Sequence, residues 1–132
     1  MAQVVYDLEN RLIEFAAAVV ETSEVLPISK AGVYVAGQML RSGIAPAMLY
    51  GEAQGAESRS DFIHKMKLVL KELKETRVSL KLVIRLKMRN LDDALMAVCS
   101  ENEALIAIVA KSIDTAKSNL ANEQRTARNS SA

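Results

Sequence analysis

Tryptophan is absent, and cysteine and histidine occur once each, as Cys99 and His64. One cysteine cannot build an intramolecular disulfide framework, and one histidine cannot supply a zinc or di-iron site that needs two imidazoles. Five glycines and two prolines in 132 residues are too few turn formers for a sandwich or barrel of many short strands. No apolar run approaches the ~18 residues a membrane-spanning helix needs, and residues 104–110 are typical of the longest. Asp7, Glu9, Arg11 and Glu14 interrupt the start, so no signal-peptide core is expected. There is no phosphate-binding glycine loop, no nucleophile–base–orienter set and no metal-ligand cluster. The expectation is a cytoplasmic protein in a reducing compartment, without cofactor, membrane partner or enzymatic activity.

What remains is rich in Ala, Leu, Glu, Lys, Arg and Met, the helix formers. Half of the residues are hydrophobic and a quarter are charged, the mix of an ordinary globular domain. Leu8, Leu12, Phe15, Val19 and Thr22 recur at three- and four-residue spacing and predict a first helix over 3–24, ended by Pro27. Ser29 is placed to cap a second helix running to about 55, with Val33, Leu40, Ile44 and Ala47 facing inward. Pro46 inside it predicts a kink or break near 42–46, because a helix-interior proline removes a donor and crowds the preceding turn. Ser58 followed by Asp61 has the form of a capping box for a third helix. Phe62, Met66, Val69, Leu73, Leu80, Val83 and Ile84 are its expected core arc. Asn90 is the expected cap of a fourth helix, with Leu91, Leu95, Val98, Leu105, Val109, Ser112 and Ala116 inward. Short connections between such helices favour an up-down-up-down antiparallel four-helix bundle over 1–121. The polar stretch 122–132 has no apolar period and is expected to fray or be disordered.

A net charge of +1 conceals a division along the chain. Residues 1–26 hold five acidic side chains against one basic, and 90–121 hold five against two. Residues 61–89 hold nine basic against three acidic, a net of +6. On a helical wheel Lys67, Lys71, Lys74, Lys81 and Arg85 form a stripe opposite the core arc, with Arg59 and Lys65 nearby. Such a row suits contact with phosphates, or equally a solvated face or an acidic neighbour. No aromatic residue interleaves with it, so base stacking is not expected. Leu68, Leu82 and Leu86 make a further stripe beside the lysines, with His64 on the same side. A bundle helix needs one apolar face, so this surplus predicts an oligomer interface. Asp61 and His64 have the spacing of half a di-iron motif, which requires that unit twice. Cys99 beside Val98 is expected to be a small core residue.

Three segments carry a resemblance to a known family. They are Gln38-Met39-Leu40-Arg41-Ser42-Gly43 with Tyr50 and Glu52-Ala53-Gln54; the run from Glu57 to Lys67 continued by Leu70-Lys71-Glu72 and Glu75-Thr76-Arg77; and Asn102-Glu103-Ala104-Leu105-Ile106-Ala107-Ile108 with Ser112-Ile113. Over residues 8–120 the chain resembles the bacterial four-helix-bundle family related to proteins encoded in intervening sequences of large-subunit ribosomal RNA genes, some of which are labelled ribosomal proteins. The resemblance implies a four-helix bundle. The same fold occurs in the accessory protein of diversity-generating retroelements, a homopentamer that binds nucleic acid and a reverse transcriptase. By that analogy a pentamer and an RNA, DNA or reverse-transcriptase partner are expected. The chain departs from the family where a Ser and an Asn usually follow the second-helix glycine; here Ala45 and Leu49 flank Pro46. Arg41, Ser42 and Glu52 remain, and a structural pair between Arg41 and Glu52, buried or between subunits, is expected.

The functional expectation is a non-enzymatic oligomeric accessory or adaptor protein binding nucleic acid nonspecifically through the third helix. The alternative is a protein-interaction scaffold whose basic helix packs on an acidic partner or neighbouring subunit.

Overall fold

The computed structural model describes residues 7–131. It holds four helices: α1 (Leu8–Glu24), α2 (Lys30–Gln54), α3 (Arg59–Arg85) and α4 (Asp93–Ser131). Each packs on the next, and the ring closes through a looser seam between α1 and α4. This is an all-α four-helix bundle, as the periodicity predicted. The beginning of the expected first helix, 3–6, lies outside the described residues.

The core follows from the heptad-like stripes. Leu12, Phe15 and Val19 of α1, Met66, Val69, Leu73, Leu80 and Val83 of α3, and Leu95, Leu105 and Val109 of α4 are essentially sealed from solvent. Each such side chain contributes roughly 1.5–3 kcal/mol over its exposed state. Leu8 and Thr22 are buried as predicted. In α3 the arc is centred as expected, but Phe62 is only half-buried and Ile84 is exposed. In α4, Leu91 falls outside the helix and is exposed, while Asn102, Ile106 and Ile113 are buried.

The second helix turns a different face inward from the one its large residues suggest. Val33, Leu40 and Ile44 are exposed, and Ala47 is half-buried. Gly32, Val35, Met39, Ser42, Gly43, Pro46 and Ala53 are buried instead. The reason is close approach: an added Cβ at Gly43 would lie 2.5 Å from Val19 Cγ1. Small residues therefore mark the contact, and the larger ones are left outside. Met39 and Val35 fill the remaining depth.

Helix ends are set by local chemistry. Ser29 Oγ accepts from the Gly32 amide at 3.1 Å, and Ser58 Oγ accepts from the Asp61 amide at 3.0 Å. These caps satisfy donors the helix itself leaves open. The fourth helix is capped by Asp92, which accepts from the Leu95 amide at 2.9 Å, rather than by Asn90. α3 ends in a Schellman arrangement: Lys87 adopts φ 54°, its amide donates to the Ile84 carbonyl, and the Met88 amide donates to the Val83 carbonyl. α2 continues through Pro46 as one helix, so of the kink or break expected there the break is absent. The expected disordered tail is also corrected. α4 carries on to Ser131, and Arg59 of α3 holds Glu123 in a two-point pair at 3.1 and 2.9 Å.

Candidate nucleic-acid interface

The α3 stripe divides once its partners are known. Arg59 is engaged with Glu123, and Lys65 donates to Glu52 of α2 at 2.9 Å. Those carboxylates hold the Lys65 ammonium and the Arg59 guanidinium above their usual pKa values. Arg77 pairs with Glu103 of α4 at 2.8 and 3.1 Å. Carboxylates of α2 and α4 thus take up three of the cations around α3. Lys67, Lys74, Lys81 and Arg85 are exposed and lie outside every ion pair among the described residues. Lys71 joins them, with only a 3.8 Å approach to Glu72 of its own helix. From Lys67 to Arg85 the row spans about 27 Å at 1.5 Å per residue. Five cationic heads therefore point outward from one rigid rod, while Arg59 and Lys65 belong to the bundle.

Within one chain the expected pair between Arg41 and Glu52 does not form. The two stand eleven residues apart on α2, about 16 Å along its axis, which no side-chain pair bridges. Arg41 instead reaches α3, donating to Glu72 at 2.8 Å and to Glu75. Both carboxylates raise the Arg41 pKa. Glu72 is buried at 7% exposure, so Arg41 supplies its compensating charge. Beneath this pair Ser42 and Thr76 hydroxyls meet at 2.8 Å, and Thr76 also donates to the Glu72 carbonyl. A polar layer thereby fixes α2 against α3. The family-like residues Arg41, Ser42, Glu72, Glu75 and Thr76 are its members, so they serve the fold. Glu72 belongs to the family-like stretch of α3, but its link to Arg41, 31 positions earlier, carries no sequence spacing signal.

The surplus apolar stripe is partly confirmed as surface. Leu82 and Leu86 are 42% and 55% exposed, Leu68 is half-buried, and His64 is exposed. Among the described residues no ion pair or side-chain hydrogen bond engages the His64 imidazole. Cys99 is half-buried, and burial, followed by the nearby Glu103 charge, raises its thiol pKa. That is the opposite of an activated nucleophile. No group of three or more His, Cys, Asp or Glu residues suited to a metal occurs among the described residues. No described helix is long and apolar enough to cross a membrane.

Where α1 and α4 separate, a trough of about 450 Å³ opens over Phe15, Ala18, Ala94, Ala97 and Val98. Three alanines among its walls leave the space. Its rim carries Glu14 and Glu21, neither in an ion pair among the described residues, while Glu101 is held by Arg11 at 2.7 Å and Arg89 is held by Asp92 at 2.9 Å. Alanine on two separate helices could have signalled it only if their juxtaposition were known.

No family model and no curated protein matches the chain. Among solved structures, the chain is similar to a protein of unknown function from the S23 ribosomal protein family of Bacteroides thetaiotaomicron VPI-5482. Identity is 27%, the match covers 80% of this chain and 97% of that one, and the TM-score is 0.74. The ribosomal-protein label agrees with the resemblance carried by the second, third and fourth helices, and the two chains share one helical bundle.

Proposed function

We propose that the protein is a non-enzymatic accessory bundle that binds RNA or DNA through the phosphate backbone, without reading sequence. The observation that carries this is the row Lys67, Lys71, Lys74, Lys81 and Arg85: five exposed cations on one helix face, left over after carboxylates of α2 and α4 have paired with Arg59, Lys65 and Arg77. A straight, rigid row of cations releases counterions when it meets phosphates, and it lacks the donor–acceptor forks and aromatic faces that would specify bases. The test is fluorescence anisotropy of a labelled oligonucleotide titrated with protein across a salt series. With up to five phosphate contacts, log K should fall against log salt with a slope as steep as about −4.5 on a duplex. Lys67→Glu combined with Lys71→Glu and Lys74→Glu should abolish binding and leave the circular-dichroism spectrum intact. No binding at low salt overturns the proposal.

A second reading, self-association as a scaffold, is favoured by one observation: Leu82 and Leu86 stand exposed among these cations. Exposed leucines next to lysines suit a protein surface better than a phosphate backbone. By analogy with the retroelement accessory protein the assembly would be a homopentamer, and a reverse transcriptase would be a candidate partner. Both the assembly and a nucleic-acid role in the cytoplasm are parts of this proposal.

A further inference from the structure

The exposed apolar residues of α3 are not spread evenly along it. Between Lys67 and Lys74 the outer face holds lysines and no exposed large apolar side chain. Beyond that point Val78, Leu82, Ile84 and Leu86 are 58%, 42%, 37% and 55% exposed, interleaved with Lys81 and Arg85. The rod is therefore polar in its first half and amphipathic in its second. The trough between α1 and α4 has the complementary character, with an alanine-lined apolar floor and unpaired Glu14 and Glu21 on its rim.

We propose that this trough receives the C-terminal half of α3 from a second copy of the chain, Leu82 and Leu86 resting on the floor and Lys81 and Arg85 facing Glu14 and Glu21. The proposal rests on the self-association reading and names its two surfaces. Charge selects the occupant. A carboxylate rim repels nucleic acid and anionic lipid, whereas this chain itself displays the cationic, leucine-bearing helix that fits.

Position along the bundle agrees. Arg77 pairs with Glu103, and Cys99 lines a small cavity with Leu80, Lys81 and Ile84, so α4 near residue 100 lies level with α3 near residue 80. Arg11 pairs with Glu101, which puts α1 in register with the same level. Glu14 and Glu21 of α1, which runs parallel to α3, therefore stand at about the height of Lys81 to Met88. Rotation about an axis parallel to the bundle preserves height, so the two faces can meet in a head-to-tail contact. They also lie on different sides of the molecule, since α3 packs between α2 and α4 whereas the trough opens between α4 and α1. On this assignment Lys67, Lys71 and Lys74 stay free for phosphate, and Lys81 and Arg85 do not.

The experiment is analytical ultracentrifugation of the full chain at micromolar concentration, using wild type, Glu14→Lys with Glu21→Lys, and Lys81→Glu with Arg85→Glu. All four positions are exposed, so the variants should keep the helical spectrum of wild type. Wild type should associate, and each charge-reversed variant should lose at least tenfold in association constant. An equimolar mixture of the two variants should re-associate, because reversed rim meets reversed helix. Leu82→Ala with Leu86→Ala should weaken association without any charge change. A monomeric wild type overturns both the self-association reading and this assignment. Association that survives both charge reversals, or a mixture that fails to restore it, leaves self-association standing and overturns the assignment of surfaces.

Discussion

Replacing Gly43 with alanine tests how closely α1 and α2 approach. A Cβ at that position would lie 2.5 Å from Val19 Cγ1 and 2.8 Å from Val19 Cβ. Neither atom is the tip of a long side chain that can swing away, so the helices must separate or Val19 must leave its rotamer. Overpacking of this kind costs roughly 1–3 kcal/mol. Against it stands the gain in helix propensity of alanine over glycine, roughly 1 kcal/mol. Gly37 and Gly51 isolate that second term, because an added Cβ there meets nothing within 4 Å. Gly37→Ala and Gly51→Ala should therefore stabilise by roughly 0.5–1 kcal/mol. Gly43→Ala should fall below them by about 1–3 kcal/mol. With a urea m-value of about 1–3 kcal/mol per molar, the midpoints should differ by on the order of 1 M. The measurement is urea unfolding followed by circular dichroism at one fixed protein concentration, since association would shift the midpoint. Val19→Ala combined with Gly43→Ala should cost less than the sum of the singles, because the methyls in the way are gone. A Gly43→Ala variant as stable as Gly37→Ala would refute the close approach and the account of why α2 turns its small face inward.

Two further outcomes follow from buried and charged groups. Asn102 is 1% exposed, donates to the Leu73 carbonyl at 3.1 Å, and leaves Oδ1 unpartnered. Asn102→Leu, similar in shape, should change stability by less than about 1 kcal/mol or raise it, since it removes an unsatisfied acceptor; a loss above about 2 kcal/mol in urea unfolding would contradict that account. The Leu95 amide and then Arg89 hold the Asp92 carboxyl below its usual pKa, and Arg59 does the same for Glu123. Because both are lower in the folded chain than in the unfolded one, their contribution is present above the ordinary carboxylate range and fades as pH drops through it. Unfolding midpoints should decline on acidification below about pH 5, and Asp92→Asn with Glu123→Gln should flatten that decline. An unchanged pH profile in the double variant would show that neither group is linked to folding.

How much of this was legible in the sequence depends on what each helix faces. α1 has one apolar stripe, and Leu8, Leu12, Phe15, Val19 and Thr22 all turned out buried. α2 is apolar on two arcs, and size alone pointed to Val33, Leu40 and Ile44. The arc that packs is the smaller-bodied one because Gly43 sits against Val19, a fact about α1 that no period within α2 encodes. The same limit applies to the polar layer. Arg41 had an acid on its own face at Glu52, but rise along the helix put that partner out of reach and α3 supplied others. In the candidate interface, the identity of the lysine row was readable from the wheel, whereas the loss of Arg59 and Lys65 to Glu123 and Glu52 was not. The trough was invisible for the same reason, being a property of the distance between two helices.

The mismatch in helix length bears on how this protein would behave in a melting experiment. α4 has 39 residues against 17, 25 and 27 in the others. Its last core residue is Ala116, Leu120 adds partial packing, and residues 121–130 are exposed. The final turns beyond Glu123 are exposed and add no residue to the core, and helical segments that short are marginal in water without tertiary support. They should lose helicity gradually on warming, well before the bundle opens as a cooperative unit. A sloping ellipticity below the main transition is thus the signature of a fraying arm, and fitting it as partial unfolding of the bundle would understate the enthalpy of the true transition.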